Sequence, residues 1–250
     1  MPLSDEQISV LHHAAKIGDC MAHAMVKASG PGIPENETFS AGMNAGYMRG
    51  ANVPLLHMFT GPQAVQWGPP RWTYSPQSPP RILDDGDLVT SEIFCDFGKM
   101  QVQLQMTIAI GQVHPDVERA ATIVRQCYEE GLKVLKAGRT FQELAKAMRK
   151  PLDDNNAWSK GPQVHSLNPL IPVADINIDL AHVGVPENYP RVWKAPVLVP
   201  DLTLQPGMSF AMEPTCAFGP YAVTIGGTVV VTEGEPLELN TYTTRLLRAG

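Results

Sequence analysis

The chain has 250 residues, 44% of them hydrophobic and 18% charged, with a net charge of −6. That composition supplies a buried core and excludes a disordered chain. The acidic balance excludes the basic footprint of a nucleic-acid binder, and no apolar run approaches the ~18 residues a membrane-spanning helix needs.

The N-terminal stretch MPLSDEQISVLHHAAK lacks the basic-then-apolar layout of a signal peptide. It opens a helix instead. Ser4 and Gln7 form a capping box, and Ile8, Leu11, Ala15, Ile17 and Met21 recur at helical spacing to about Ser29. A second short helix is predicted over 35–48. The 23 prolines concentrate in 52–80 and 151–206, which read as ordered, irregular segments rather than helices. Asp85-Gly86 marks a tight turn before LVTSEIFCDFG, a strand. The next run, KMQVQLQMTIAIG, alternates with a period of two. Gln101, Gln103, Gln105 and Thr107 share one face, and Met100, Val102, Leu104, Met106 and Ile108 share the other, so this strand pairs back as a hairpin. His114-Pro115 opens a long helix over 115–137, closed by Gly138. Thr140 and Glu143 form another capping box, starting a helix to about Lys150. A loop carrying WSKGPQVHSLNP, then AHVGVPENYP, leads to LTLQPGMSFAMEPTCAFG and the strands of YAVTIGGTVVVTEGEPLEL. No low-complexity linker interrupts the chain, which reads as one α+β domain over 1–250. The four cysteines (Cys20, Cys95, Cys127 and Cys216) make no CxxC pair and read as reduced thiols of a cytoplasmic protein.

Two segments repeat one another. Gly86 precedes Glu92 as Gly207 precedes Glu213; Cys95 and Cys216 follow at equal distances, as do Phe97-Gly98 and Phe218-Gly219. Two related halves, each presenting a carboxylate from a strand, would let Glu92 and Glu213 face one cavity. Buried together, two carboxylates push one pKa upward and offer a general acid or base.

RILDDGDLVTSEIFCDFG, the helix followed by KAGRTFQEL, LQPGMSFAMEP and IGGTVVVTEGEPLELN together resemble the pita-bread family of methionine and Xaa-Pro aminopeptidases, prolidases and creatinase. The wording is closer to the Xaa-Pro and creatinase branch, over about residues 5–240. The resemblance implies a curved antiparallel sheet covered by helices on its outer face, in two pseudo-symmetric halves. It also implies five metal ligands on the concave face, holding two divalent ions that generate hydroxide. Carried over by position, these ligands fall at Glu92, Gln103, a histidine, Glu213 and Gly226. The histidine is His182 in AHVGV or His165 in VHSLNP, and a substrate-contacting family histidine falls at Tyr74. A neutral amide and a glycine thus replace two of four acidic ligands. No metal cofactor is expected; a weak mononuclear site, if present, would use Glu92, His182 and Glu213.

The leading expectation is a metal-independent, creatinase-like hydrolase or lyase acting on a C–N or similar bond of a small molecule. His165 or His182 would act as acid or base, and Glu92 and Glu213 would orient substrate or water. Gln103 and Gln105 would hydrogen-bond a polar group of the substrate, and Tyr74, Trp72 and Trp158 would form an aromatic rim. Asp96, four residues from Glu92 on the same strand face, is a reserve polar contact. Two alternatives stand beside this reading: a metal-dependent Xaa-Pro aminopeptidase or prolidase with an altered site, and a non-catalytic pita-bread binding module. His12, His13, His23 and His57 read as structural. The N-terminal domain of the relatives is not expected here, and a homodimer is; either a partner subunit's loops complete the site or the site is more open than in the relatives.

Overall fold

A computed structural model describes residues 2–63, 68–75, 77–167, 172–175 and 197–250. Two halves of matching construction follow one another. The first runs α1 (Asp5–Lys27), α2 (Glu35–Tyr47), β1 (Asn52–Gly61), β2 (Leu88–Phe97) and β3 (Met100–Ile110). The second runs α3 (Pro115–Val134), α4 (Phe141–Asp154), β4 (Val164–Ser166), β5 (Ser209–Met212), β6 (Thr215–Phe218), β7 (Tyr221–Thr224) and β8 (Gly227–Val230). Two short strands, β9 (Leu237–Glu238) and β10 (Leu247–Ala249), close the chain. The sheets order as β1-β2-β3-β10 and β4-β5-β8-β9, with β6-β7 as a separate hairpin. The architecture is the pita-bread α+β fold. Among the described residues no helix is long and apolar enough to cross a membrane.

The helix starts follow their caps. Ser4 Oγ accepts from the Gln7 amide at 3.3 Å while Gln7 Oε1 accepts from the Ser4 amide at 2.9 Å. Thr140 and Glu143 make the same reciprocal pair at 3.2 and 2.7 Å. Pro115 occupies the first turn of α3, where its missing N–H costs nothing. That helix ends at Val134, three residues short of the expected stop at 137.

Each half buries its own core between a helix pair and strands. Leu11, Met21 and Met25 of α1 meet Ile93, Leu104, Met106 and Ile108 of β2 and β3. Val124, Tyr128, Phe141 and Leu144 of α3 and α4 meet Phe210, Met212, Val223 and Val229. A buried side chain of this size contributes about 1.5–3 kcal/mol, and slipping β3 by one residue would turn its apolar row to the other face. The core therefore fixes which way the glutamines point.

The repeat is reproduced in three dimensions. β2 and β3 are long strands joined at Gly98, whereas the second half breaks each equivalent strand in two, β5 with β6 and β7 with β8, joined at Gly219. Gly98 and Gly219 have φ of 56° and 53°, and the opening turn glycines Gly86 and Gly207 have 87° and 83°. These left-handed conformations suit glycine, which explains why the turn residues recur. The halves join along β3. Thr228 Oγ1 donates to the Gln103 carbonyl at 3.0 Å and accepts from its amide at 3.1 Å. Thr107 Oγ1 does the same with Thr224, at 2.9 and 3.0 Å. Between these matched pairs, the Gln105 amide donates to the Gly226 carbonyl at 3.2 Å. The Gln105–Gly226 bridge thus sits on the pseudo-two-fold axis.

The segment over 52–80 differs from the irregular reading. Its first ten residues form β1, paired antiparallel with β2 from Asn52 opposite Asp96 to Gly61 opposite Leu88. Pro54 hid this strand. The residue lies where the register shifts between Asn52 and Leu55, on an edge strand, which is where a proline without an N–H is tolerated. The proline-rich stretch from 151 likewise begins inside a helix, because α4 continues through Pro151 to Asp154.

Candidate functional site

The strand pairings lay side chains across the inner sheet face in rows. His57 on β1 is opposite Glu92 on β2, Glu92 is opposite Gln105 on β3, and Gln105 bridges to Gly226. From the other half, Glu213 follows the end of β5, where Pro214 interrupts the strand, and His165 lies on neighbouring β4.

Gln103 ties the two carboxylates together. Its single Nε2 donates to Glu92 Oε1 in a short contact and to Glu213 Oε2 at 2.8 Å. Gln105 Nε2 donates to the same Glu213 oxygen at 2.6 Å. Its orientation is set by the Thr224 hydroxyl, which donates to Gln105 Oε1 and so turns the amide nitrogen toward Glu213. Each carboxylate also meets one imidazole: His57 Nδ1 lies 3.1 Å from Glu92 Oε2, and His165 Nε2 lies 3.2 Å from Glu213 Oε1. Two Glu–His pairs, one from each half, therefore share one bridging amide. The imidazoles are 22% and 23% exposed against 11% and 3% for their carboxylates, so a ligand entering here meets the rings first.

The electrostatics of the second pair are explicit. His165 Nδ1 faces the Ser166 carbonyl at 3.0 Å and Nε2 faces Glu213, so with Glu213 ionised both ring nitrogens meet acceptors and the ring is held as imidazolium. Burial works against that charge, but the Glu213 carboxylate and the hydrogen bonds outweigh it and raise the His165 pKa to about 9. Burial and the neighbouring Glu92 push Glu213 upward, opposed by His165 and by Gln105. Lys160 is also 5% exposed, and burial lowers its ammonium to about 7 although Glu92 pulls it back up.

The donor set does not fit a pair of divalent ions. The Gln103 amide nitrogen faces both carboxylates from a position where the resemblance implies an aspartate ligand, and even turned to present Oε1 a neutral amide lacks the charge of a carboxylate between two cations. Gly226, at the last ligand position, has φ of 136°, and a Cβ there would fall 1.9 Å from the Met212 carbonyl oxygen. No side chain reaches the site from that backbone. Among the described residues, no group of three or more histidines, cysteines, aspartates or glutamates is arranged to hold an ion.

The structure thus brings Glu92, Gln103, Gln105, Glu213 and His165 together. Both N–H groups of Gln103 and one of Gln105 are directed at the carboxylates. Trp158 packs on Ala217 and Ala222 and donates its indole N–H to the Gly219 carbonyl at 3.1 Å. Trp72 meets Phe39 edge-on at 5.6 Å, and Tyr74, just past a 3-10 turn over Arg71–Thr73, is 63% exposed. Asp96 accepts from Gln101 Nε2 at 2.8 Å, farther along the glutamine face. His182 lies outside the described residues. Cys95 and Cys216 are buried, and burial raises the Cys95 thiol to about 12 and Cys216 higher still, leaving neither a ready thiolate. Sequence reasoning missed His57, placed opposite Glu92 by β1, and Lys160, a lysine in a glycine-proline turn with no periodicity to single it out.

A curved two-half sheet with paired carboxylates on its inner face defines a protein of the pita-bread class. The chain belongs to metallopeptidase family M24, whose sequence pattern matches residues 9–233. No curated protein sequence matches it. Solved structures similar to it include dipeptidase PepE from Mycobacterium ulcerans (TM-score 0.75, 20% identity, covering 99% of this chain and 61% of that one). The prolidase from Pyrococcus horikoshii OT3 gives a TM-score of 0.75 at 18% identity, over 96% of this chain and 63% of the other. Methionine aminopeptidase from Rickettsia prowazekii gives 0.71 at 13% identity, covering 96% and 99%. The chain spans less than two thirds of the length of the dipeptidase and the prolidase.

Proposed function

We propose that this chain is a pita-bread hydrolase or lyase that cleaves a C–N or similar bond of a small molecule without a divalent metal, in the manner of creatinase. The observation that carries this reading is the Gln103 amide, which donates to Glu92 and Glu213 at once. His165, whose pKa is raised by Glu213, donates its proton to the leaving nitrogen, and Glu213 holds the ring in place and balances its charge. The Glu92–His57 pair orients the substrate or an attacking water from the opposite wall. The bridging glutamines keep two buried carboxylates at fixed separation, so neither needs a cation to stay in position.

Membership of M24 favours a second reading, a metal-dependent dipeptidase or prolidase with an altered site. One experiment separates the two. Protein dialysed against EDTA is incubated with a panel of small guanidino, ureido and amide compounds and Xaa-Pro dipeptides, and products are followed by NMR. The metal-free reading predicts turnover that survives EDTA and is abolished in His165→Asn. Turnover that appears only on adding Mn, Co, Fe or Zn overturns it.

A further inference from the structure

Gln103 is fixed by its donors, and that leaves its acceptor unused. The nitrogen and oxygen of a glutamine amide are alike in shape, so their placement follows from what surrounds them. Here the neighbours are Glu92 and Glu213, carboxylates that only accept when ionised, so the amide turns Nε2 to both. The backbone is held as well, because Thr228 Oγ1 donates to the Gln103 carbonyl and accepts from its amide. Side chain and backbone together leave Oε1 no second orientation. Among the described residues no donor reaches it. Nor is it sealed in. Side-chain oxygens that are both buried and without a partner include those of Thr90 and Gln163; Gln103 Oε1 is not one of them, although the residue as a whole is only 4% exposed. The oxygen is therefore open to the cavity.

The neighbouring amide complements it. Gln105 Oε1 accepts from the Thr224 hydroxyl, and one N–H of its Nε2 goes to Glu213 Oε2, the oxygen that Gln103 also contacts. Its second N–H meets no acceptor among the described residues. Two amides that share one carboxylate oxygen lie close together, and between them one acceptor and one donor remain. The four carboxylate oxygens, by contrast, each already face a nitrogen of the protein. Glu92 meets Gln103 and His57; Glu213 meets Gln103, Gln105 and His165.

A polar group taken into such a cavity without its hydrogen bond is destabilised, and an uncompensated charge more so. A neutral N–H finds its partner at Gln103 Oε1. A guanidinium or ammonium needs a carboxylate, and those oxygens are engaged by the protein's own donors.

We propose that Gln103 Oε1 is the substrate-contacting acceptor of the site, taking an N–H from a neutral amide or ureido group whose carbonyl receives the second N–H of Gln105. The inference rests on the metal-free reading and names the substrate class within it: a neutral amide or urea, not a guanidinium or ammonium compound.

The test uses the full-length chain in EDTA at about pH 7, with binding followed by ligand-observed NMR. The probes are N-methylurea, N-methylguanidinium, which exchanges the carbonyl for a charged C–NH2, and tetramethylurea, which has no N–H. Wild type should bind N-methylurea at least about tenfold more tightly than either of the others. Equal affinity for the three, tighter binding of N-methylguanidinium, or no binding of N-methylurea overturns the proposal. Gln103→Lys separates the acceptor from the fold, because an ammonium still donates to both carboxylates and has no lone pair to offer. In that variant the preference for N-methylurea over tetramethylurea should fall to within about twofold, and a retained tenfold preference overturns the proposal. If Gln103→Lys does not fold, wild type with 13C-labelled glutamine provides the second arm. N-methylurea should then shift side-chain carbonyl signals that tetramethylurea leaves in place, and unmoved signals overturn the proposal. Stoichiometric metal in the purified wild type would instead defeat the metal-free reading itself, so the two failures are distinguishable.

Discussion

Gln103→Glu is the most informative perturbation, because it keeps the side-chain shape and exchanges the bridging NH2 for an oxygen. The native nitrogen donates to Glu92 and to Glu213. Losing two hydrogen bonds to charged acceptors costs about 1.5–3 kcal/mol each. The new carboxylate also faces two others at hydrogen-bonding distance, where each like-charge contact could reach ~4 kcal/mol at an effective dielectric of 20. The new acid limits that repulsion by taking up a proton, so its pKa rises above the ordinary glutamate value. Together these terms predict a loss of about 3–5 kcal/mol at pH 7. The sign with pH follows: a carboxyl raised in the folded state is penalised above its unfolded pKa near ~4.3, so the loss should shrink toward about 1–2 kcal/mol at pH 5. Urea unfolding monitored by circular dichroism in EDTA, at both pH values, measures it. A Gln103→Glu variant as stable as wild type at pH 7 in EDTA would refute the idea that the amide holds the carboxylates together.

Two further perturbations probe other contacts of the site. Gly226→Ala places a methyl group 1.9 Å from the Met212 carbonyl in a backbone of φ 136°. It should lower stability by more than about 3 kcal/mol or prevent folding, and an unchanged melting temperature would contradict the close approach at the pseudo-axis. For His165, a folded pKa raised from 6.5 to about 9 contributes stability that is complete below 6.5 and lost as pH rises through about 9. That contribution is on the order of 3 kcal/mol. The difference in unfolding free energy between wild type and His165→Asn should therefore be largest near pH 6 and fade by about pH 10. Lys160, lowered to about 7, gains stability with rising pH in the same range but is common to both proteins and cancels in the difference. A pH-independent difference would contradict the imidazolium assignment.

Much of this fold is written in local pattern. The capping boxes at Ser4 and Thr140 mark two helix starts because both partners of each box lie three residues apart. The alternation of β3 announces its faces, and the turn glycines Gly86 and Gly207 announce the repeat. That Glu92 and Glu213 face one cavity is legible for the same reason, since the repeat puts two carboxylates at equivalent places, whereas the Gln103 amide between them is not. What sequence could not supply was cross-strand register. His57 enters the site only because β1 pairs in the frame that sets it opposite Glu92, and Pro54 disguises the strand itself. Lys160 lies in a turn whose direction is set by contacts with Thr215 and Ala217, far along the chain. The glutamine donors are visible in sequence, whereas the carboxylate acceptors that meet them come from elsewhere in the chain, Glu92 on β2 and Glu213 beyond β5.

On the proposed metal-free mechanism, the two halves hold their carboxylates with the Gln103 amide and side-chain cations instead of metal. Metal content of protein purified without chelator, by inductively coupled plasma mass spectrometry, tests this most directly. Mn, Fe, Co and Zn should each be far below one equivalent per chain. About two equivalents of any of them, as in a two-metal hydrolase, would contradict it.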